Sequence, residues 1–345
     1  MSCSNPIRLD SVRNLYGRMV PIPCRHCLSC RIDSITSWHY RVMSEYICKP
    51  SSFVTVTYDD NHLFYHHSDL LDDAYSRYNP LVSRHDFGLN IGFFPSLNQT
   101  HLSKYVDNLR HYVKRLPDDF VSHNRIYRNF RYICASEYGD MFNRPHAHFL
   151  FLGLDFSDCA GLFKKFWKYG SVKVLPVLNG GIRYVLKYFE KNQDSDLRDS
   201  LYFDYGIDPP SITFSKGIGK EWFLSHYDDI STTGMIRCGS RYIPVPPYFS
   251  NMFAKYSEDY IYNRFKNIDR SFENLRIKSI AAGYSSVDKY IKDSARIRET
   301  NLLIRSRDSG IPAYDYLHPL KVSSLTNKEL TRLVNDAYYD DVIPF

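Results

Sequence analysis

Apolar and polar positions change period several times between Ser51 and Lys191, and each change marks an element. Ser52-Phe53-Val54-Thr55-Val56-Thr57-Tyr58 is rich in β-branched and aromatic residues and stops at Asp59-Asp60-Asn61, which predicts a strand and a turn. From Thr100, a candidate N-cap, Leu102, Tyr105, Val106, Leu109, Tyr112, Val113 and Leu116 recur at helical spacing up to Pro117. Phe130 to Glu137 predicts a second strand ending in Tyr138-Gly139-Asp140, with Pro145 to Gly153 as its hairpin partner. A helix is expected from Ser157, as N-cap, through Leu162, Phe163, Phe166 and Trp167 to Gly170, a residue suited to C′. Ser171 to Val177 then predicts a strand, and Gly181 introduces a further helix. The order strand, helix, strand, strand, helix, strand predicts an α+β fold. Its centre is an antiparallel sheet of βαββαβ type with helices on one face and the other face free for ligand.

The flanks follow other patterns. Residues 62–99 lack a clear period and carry scattered aromatics and aspartates, so a surface insertion is expected there. Beyond about Asn192, Pro209-Pro210, Gly217-Ile218-Gly219 and Pro244-Val245-Pro246-Pro247 punctuate an irregular stretch bearing Lys216, Lys220, Arg237 and Arg241. From about Phe249 to Arg307 the pattern is helical and highly charged, and a last helix is expected near Lys328 to Tyr338. The resulting division is a cysteine-rich N-terminal segment at 1–50, a core at 51–192 with its insertion at about 62–99, an irregular basic extension at 193–248 and a mainly helical C-terminal region at 249–345.

Composition narrows the classes of function. A chain of 345 residues can bury a sizeable core, and a net charge of +6 permits nucleic-acid binding without requiring it. The 29 Tyr and 22 Phe change the picture more, because bases stack on rings while phosphates pair with nearby cations; the competing use is an aromatic core. No apolar run has membrane-spanning length, and Met1 to Pro6 lacks the hydrophobic stretch of a signal peptide, so a soluble, unsecreted protein with no membrane partner is expected. Neither a Walker loop nor a nucleotide fingerprint occurs, which argues against ATP-driven chemistry.

Two stretches carry candidate chemistry. In Arg144-Pro145-His146-Ala147-His148-Phe149, the histidines fall on one face of a strand and make a metal half-site, and hairpin pairing brings Glu137 back towards them. In Tyr184-Val185-Leu186-Lys187-Tyr188-Phe189-Glu190-Lys191, positions i, i+3, i+4 and i+7 put Tyr184, Lys187, Tyr188 and Lys191 on one helix stripe. Two imidazoles and a carboxylate suit Mg²⁺ or Mn²⁺ when a phosphate oxygen completes the sphere. A tyrosine hydroxyl is a weak nucleophile, so the cation of Lys187 or Lys191 is needed beside it. Each stretch alone has a plainer use, as structural histidines or as a core tyrosine stripe; their coincidence on one βαββαβ pattern favours phosphodiester chemistry. Upstream, Cys24, Cys27 and Cys30 form a C-x₂-C-x₂-C knuckle, and Cys3 offers a fourth sulfur for a closed structural Zn²⁺ site. Free thiols and part of an iron–sulfur ligand set are the alternatives. Arg25 and Arg31 beside the knuckle, Arg144 beside the histidines and Lys191 are candidate DNA contacts.

Phe53 to Asp60, Glu137-Tyr138-Gly139, Arg144-Pro145-His146-Ala147-His148 and Tyr184-Val185-x-Lys187-Tyr188-x-x-Lys191 resemble the motifs of rolling-circle replication initiators of the HUH endonuclease superfamily, with its ferredoxin-like sheet. With the cysteine knuckle upstream and Gly217-Ile218-Gly219 downstream, the chain is similar to the initiators of small icosahedral single-stranded-DNA phages of the microvirus and gokushovirus group, over roughly residues 20–250. The resemblance implies a site-specific, divalent-metal-dependent nickase and ligase acting on single-stranded or supercoiled origin DNA in the cytoplasm of an infected bacterium. His146 and His148 then bind the metal, with Glu137 as the third ligand, a position that varies in the superfamily. Tyr184 and Tyr188 match the paired nucleophiles. Cleavage leaves a 5′-phosphotyrosine and a 3′-OH that primes a host polymerase, with a host replication helicase as a further partner. The family often has a bulky apolar residue between its histidines, where this chain has Ala147. Two other readings are another enzyme of the superfamily, a relaxase or transposase, and a non-catalytic protein with an RNA-recognition-like sheet.

Overall fold

Side chains that pack against neighbours on both faces of a sheet must be apolar almost throughout, and the sequence from Pro145 to Leu154 meets that demand apart from its two histidines. The rest of the fold builds around this strand. The computed structural model describes residues 3–13, 17, 19–67, 93–139, 144–191, 208–238 and 241–309. In chain order these form a hairpin of β1 (Ile7–Arg13) and β2 (Met19–Ile22), a long helix α1 (Leu28–Cys48), β3 (Ser51–Tyr58), and a hairpin of β4 (Phe64–His67) with β5 (Phe93–Ser96). Helices α2 (Gln99–Arg115) and α3 (Asp118–His123) lead into β6 (Ile126–Tyr138) and β7 (Pro145–Leu154). Then come α4 (Ala160–Phe166), β8 (Gly170–Pro176), α5 (Asn179–Lys191) and β9 (Ser211–Phe214). The described chain closes with α6 (Lys220–Ser225), α7 (Tyr227–Thr233), a hairpin of β10 (Met235–Cys238) and β11 (Arg241–Pro244), and helices α8 (Pro247–Tyr256), α9 (Glu258–Ala281) and α10 (Val287–Ser309). The chain divides into two compact units, Glu45–Ile218 and the combination of Met1–Ser44 with Gly219–Phe345.

The unit Glu45–Ile218 is α+β. Its five-stranded sheet has the order β8-β3-β7-β6-β9, with every neighbouring pair antiparallel. Alternation sorts the side chains. Val54, Val56 and Tyr58 of β3, Cys134 of β6, and Ala147, Phe149 and Phe151 of β7 face one way, into a core with Leu102, Tyr105, Val106, Leu109 and Val113 of α2 and Phe163 of α4. His146 and His148 therefore face the other way, together with Leu150 and Leu152. That second face is not free, as the sequence predicts, because α5 crosses it. Ile182, Val185 and Leu186 of this helix are fully buried, and Gly181 approaches the Phe53 ring so closely that a Cβ there would lie 3.2 Å from it. Helices thus cover both faces of the sheet.

Several boundaries differ from expectation for local reasons. The N-cap of α2 is Asn98, whose side chain accepts from His101 N at 3.1 Å, so Thr100 lies inside the first turn. The helix expected from Ser157 to Gly170 shrinks to α4. Asp155 Oδ1 takes the Ser157 amide at 2.9 Å and the Ser157 hydroxyl at 2.6 Å, holding the chain in a turn that delays the helix. Gly170 begins β8 with φ +151°, where a Cβ would meet Thr57 O at 2.2 Å, so glycine serves close strand approach rather than a helix end. The insertion predicted at 62–99 contains the β4–β5 pairing at its two ends, with 68–92 outside the described residues. The stretch 193–248, expected to be irregular, adds β9 to the sheet edge and carries α6, α7 and a hairpin. The helix expected near Lys328 to Tyr338 lies outside the described residues.

Three charges are buried together in this unit. Glu45 accepts from Lys49 Nζ at 2.7 Å and from Arg131 Nη1 at 2.6 Å, and its side chain is 1% exposed. In the other unit, rings dominate the core, with Phe223 and Phe249 stacked at 3.7 Å among Ile230, Phe253 and Tyr260. Arg41 lies over the rings of Trp38 and Tyr248, and burial draws its pKa down to about 10. Much of the aromatic content noted in the sequence is thus core: the two largest fully buried side chains are Tyr105 and Tyr260, followed by six phenylalanines.

Candidate active site

Strand register assembles the candidate site. The β6–β7 ladder places Glu137 opposite His146 and Ala135 opposite His148, while β3 on the other side pairs Thr57 with His146 and Thr55 with His148. Residues two apart on β7 share a face, so both imidazoles and the Glu137 carboxylate meet there. Each histidine Nε2 lies 3.1 Å from the same oxygen, Glu137 Oε1.

The outer nitrogens of the rings are also fixed. His146 Nδ1 faces Arg144 O at 3.0 Å, and His148 Nδ1 faces Thr55 Oγ1 at 3.0 Å. A carbonyl oxygen only accepts, so His146 Nδ1 carries the hydrogen and the neutral ring presents the Nε2 lone pair to the site. That lone pair points at a carboxylate oxygen. Such an arrangement is stable only with a proton or a cation between them, and backbone-anchored Nδ1–H is the usual partner of a metal-bound Nε2.

The α5 helix brings the tyrosines. Tyr184 and Tyr188 stand one turn apart, and both hydroxyls donate to Glu137 Oε1, Tyr184 at 3.0 Å. The two phenolic oxygens are 2.8 Å apart, and Tyr184 Oη is 3.5 Å from His148 Nε2. Their surroundings differ: Tyr184 is 41% exposed and Tyr188 only 3%. Phe53 packs edge-on against Tyr184 with ring centroids 6.4 Å apart, helping to hold the phenol over the sheet. Burial acts to raise the Glu137 pKa, but hydrogen bonds from His146, His148 and Tyr188 outweigh it and hold the carboxyl far below its usual range. Burial, reinforced by the bonds to Glu137 and Tyr184, pushes Tyr188 well above the usual tyrosine range.

The donor set fits a small dication. Two imidazole nitrogens and a carboxylate oxygen lie within 4.8 Å of one another. Neighbouring ligands of an octahedral ion with bonds of about 2.1 Å stand about 3 Å apart, close to the 3.1 Å from Glu137 Oε1 to each histidine.

Other residues singled out in the sequence have varied places. Lys187 is half-buried on the tyrosine helix and forms no hydrogen bond or ion pair with another described residue, and Lys191 ends that helix with its side chain outside what is described. The Arg144 guanidinium is taken up by Tyr58 O at 2.9 Å and by Asp60. In the other unit, Arg25 is exposed with φ +67°, while Arg31 buries its Nε without a hydrogen-bond partner. There, too, the sulfurs of Cys3, Cys24, Cys27 and Cys30 lie within 4.8 Å of one another. Two members of the histidine site escape a reading of motifs: Thr55, which orients His148, and Phe53. Their common signal is the alternation Phe53, Thr55, Thr57 against Val54, Val56, which puts them on the histidine face.

Fold and site together define an α+β protein that sets a His₂Glu cluster on an antiparallel sheet beneath two tyrosines of one helix. Residues 51–193, which contain this whole cluster, match the family described as Replication-associated protein ORF2. The chain is similar to Replication-associated protein ORF2 of Spiroplasma virus 4, at 25% identity over 261 residues, 70% of each chain. It is also similar to Replication-associated protein ORF4 of Chlamydia phage 1, at 24% identity over 82% of this chain and 65% of the relative. A third relative is Replication-associated protein VP4 of Bdellovibrio phage phiMH2K, at 25% identity over 68% of this chain and 67% of that one. These relatives agree with the resemblance to phage initiators carried by the sequence motifs. No solved structure matches the chain. Among the described residues, no helix is long and apolar enough to cross a membrane.

Proposed function

We propose that this chain initiates rolling-circle replication of a small single-stranded-DNA phage genome as an HUH-type nickase and strand transferase. The observation that carries the reading is the meeting of both tyrosine hydroxyls and both histidine Nε2 atoms on Glu137 Oε1. A binding sheet of the RNA-recognition kind would instead present aromatics at these central positions. The relatives' common description as replication-associated proteins supports the same biology.

His146, His148 and Glu137 would hold Mg²⁺ or Mn²⁺, which when bound polarises the scissile phosphate for attack. Tyr184, the exposed phenol, meets the DNA first. Its oxygen forms a bond to phosphorus as the bond from phosphorus to the 3′-oxygen breaks, leaving a 5′-phosphotyrosine and a free 3′-OH. Glu137, held ionised far below its normal range, is a poor proton acceptor, so the phenolic proton passes to solvent and the departing 3′-oxygen is protonated from solvent in turn. Lys187, three residues from Tyr184 on the same helix, supplies positive charge beside the phosphate. Tyr188, buried against Tyr184, takes part in the second transfer that rejoins a unit-length circle. The released 3′-OH is a primer for a host polymerase, with a host helicase opening the duplex.

The test uses circular single-stranded DNA carrying the phage origin, with Mn²⁺ and then with chelator. Nicking is expected only with metal, and His146→Ala with His148→Ala should abolish it while the fold remains. Nicking at full rate in chelator would overturn the metal assignment.

A further inference from the structure

The cysteine cluster lies in the unit formed by Met1–Ser44 and Gly219–Phe345, away in sequence from the tyrosine chemistry. Cys24 and Cys27 sit on the loop before α1, and Cys30 lies in the first turn of that helix. Cys3 reaches them because the β1–β2 hairpin turns the chain back, pairing Ile7 with Ile22. Arg25, with φ +67°, makes the bend between the two loop cysteines.

The sulfur geometry discriminates between uses. All four Sγ atoms lie within 4.8 Å of one another, with Cys27 Sγ 3.9 Å from Cys3 Sγ. A single tetrahedral ion with Zn–S bonds of about 2.3 Å sets its ligands about 3.8 Å apart. A disulfide would bring two sulfurs to about 2 Å, and all four cysteines are free thiols. An iron–sulfur cluster interposes its own atoms between the thiolates and holds them further apart than one ion does. Backbone amides also aim at sulfur, Cys24 N at Cys3 Sγ (3.3 Å) and Cys27 N at Cys24 Sγ (3.4 Å), which is how a coordinated thiolate is supported.

We propose that Cys3, Cys24, Cys27 and Cys30 bind one Zn²⁺ as a closed structural site that fastens the N-terminal hairpin to the start of α1. Four protein ligands leave no open position, so the site is separate in function from the tyrosine chemistry. Cys3 and Cys30 are 1% and 6% exposed, so the ion would be shielded on the protein side.

The test uses the full chain, purified without chelator and dialysed against metal-free buffer. Elemental analysis should give about one zinc per chain. The His146→Ala, His148→Ala variant should keep that zinc, and Cys24→Ser with Cys27→Ser should lose it. Because the cysteine variant can fail to fold, two readouts on the intact chain decide the matter. Cobalt in place of zinc should give thiolate-to-metal charge-transfer bands with tetrahedral d–d absorption, and a mercurial should release one zinc as four thiols titrate. A folded chain free of zinc, a chain holding iron instead, or a cobalt spectrum without thiolate bands would each overturn the proposal.

Discussion

Replacing Tyr184 by Phe separates the roles of the two tyrosines. Tyr184 is 41% exposed and Tyr188 3%, so DNA arriving from solvent reaches Tyr184 first. In the protein without DNA, Tyr184→Phe removes the hydrogen bond to Glu137, 3.0 Å long, from a partly wet position. That loss should cost about 1 kcal/mol, or about 2–4 °C in Tm for a unit of this size. Loss of the attacking oxygen is far larger: a thousandfold slower first cleavage corresponds to about 4 kcal/mol of barrier. The two magnitudes distinguish lost chemistry from lost stability. The assay is single-turnover cleavage of an end-labelled origin oligonucleotide with excess protein and Mn²⁺, followed on a denaturing gel. Tyr184→Phe should slow first cleavage at least about a thousandfold while Tm moves by only a few degrees. Tyr188→Phe should cost more stability, about 2 kcal/mol, because its bond to the carboxylate is buried. It should leave first cleavage within about tenfold and abolish transfer of the held end to a second strand. First cleavage intact in Tyr184→Phe but lost in Tyr188→Phe would refute the proposed order.

Three further predictions concern the scaffold. Glu45→Gln leaves Lys49 and Arg131 as buried cations, so urea unfolding should show a loss of about 3 kcal/mol or more; a loss below about 1 kcal/mol would refute the triad's role. Burial acts to raise the Asp155 pKa, but the Ser157 hydroxyl and amide and the Arg125 ion pair outweigh it and hold it below the usual carboxylate range. A depressed folded pKa gives stability that is present above the unfolded value of about 3.9 and fades as pH falls through the folded one. Asp155→Asn should therefore cost about 1–2 kcal/mol near neutrality, with the gap to the parent closing below about pH 4; a constant gap across that range would contradict it. Gly170→Ala, which forces a Cβ against Thr57 O and Asp59 N at φ +151°, should destabilise by about 3 kcal/mol or more in thermal unfolding; a change within about 1 kcal/mol would contradict the close packing.

Which parts were legible in the sequence follows from how local their causes are. Strands β3 and β7 and helix α2 announce themselves through period, and the short span between Glu137 and His146 makes the pairing of β6 with β7 readable from the chain alone. The β4–β5 pairing joins strands separated by residues 68–92, so no local pattern reports it. The same applies to Glu45 and Arg131, which are 86 residues apart. The limits of α4 were hidden for a different reason: Asp155 competes for the amides that a helix would use, and Gly170 serves strand contact rather than a cap. Of the candidate site, His146, His148, Glu137, Tyr184 and Tyr188 were all nameable from motifs. What motifs do not carry is the difference in exposure between the two tyrosines, which depends on how α5 lies across the sheet and from which the proposed order of action follows.

The central claim, that a tyrosine of α5 becomes covalently joined to DNA, is tested most directly by mass spectrometry of the adduct. The full chain is incubated with origin single-stranded DNA and Mn²⁺, digested with nuclease and protease, and searched for nucleotide-bearing peptides. The account predicts a phosphate ester on Tyr184 after one turnover, with Tyr188 also carrying it when second transfers are allowed, and none in Tyr184→Phe with Tyr188→Phe. An adduct that survives in the double variant, or that maps to another residue, would contradict it.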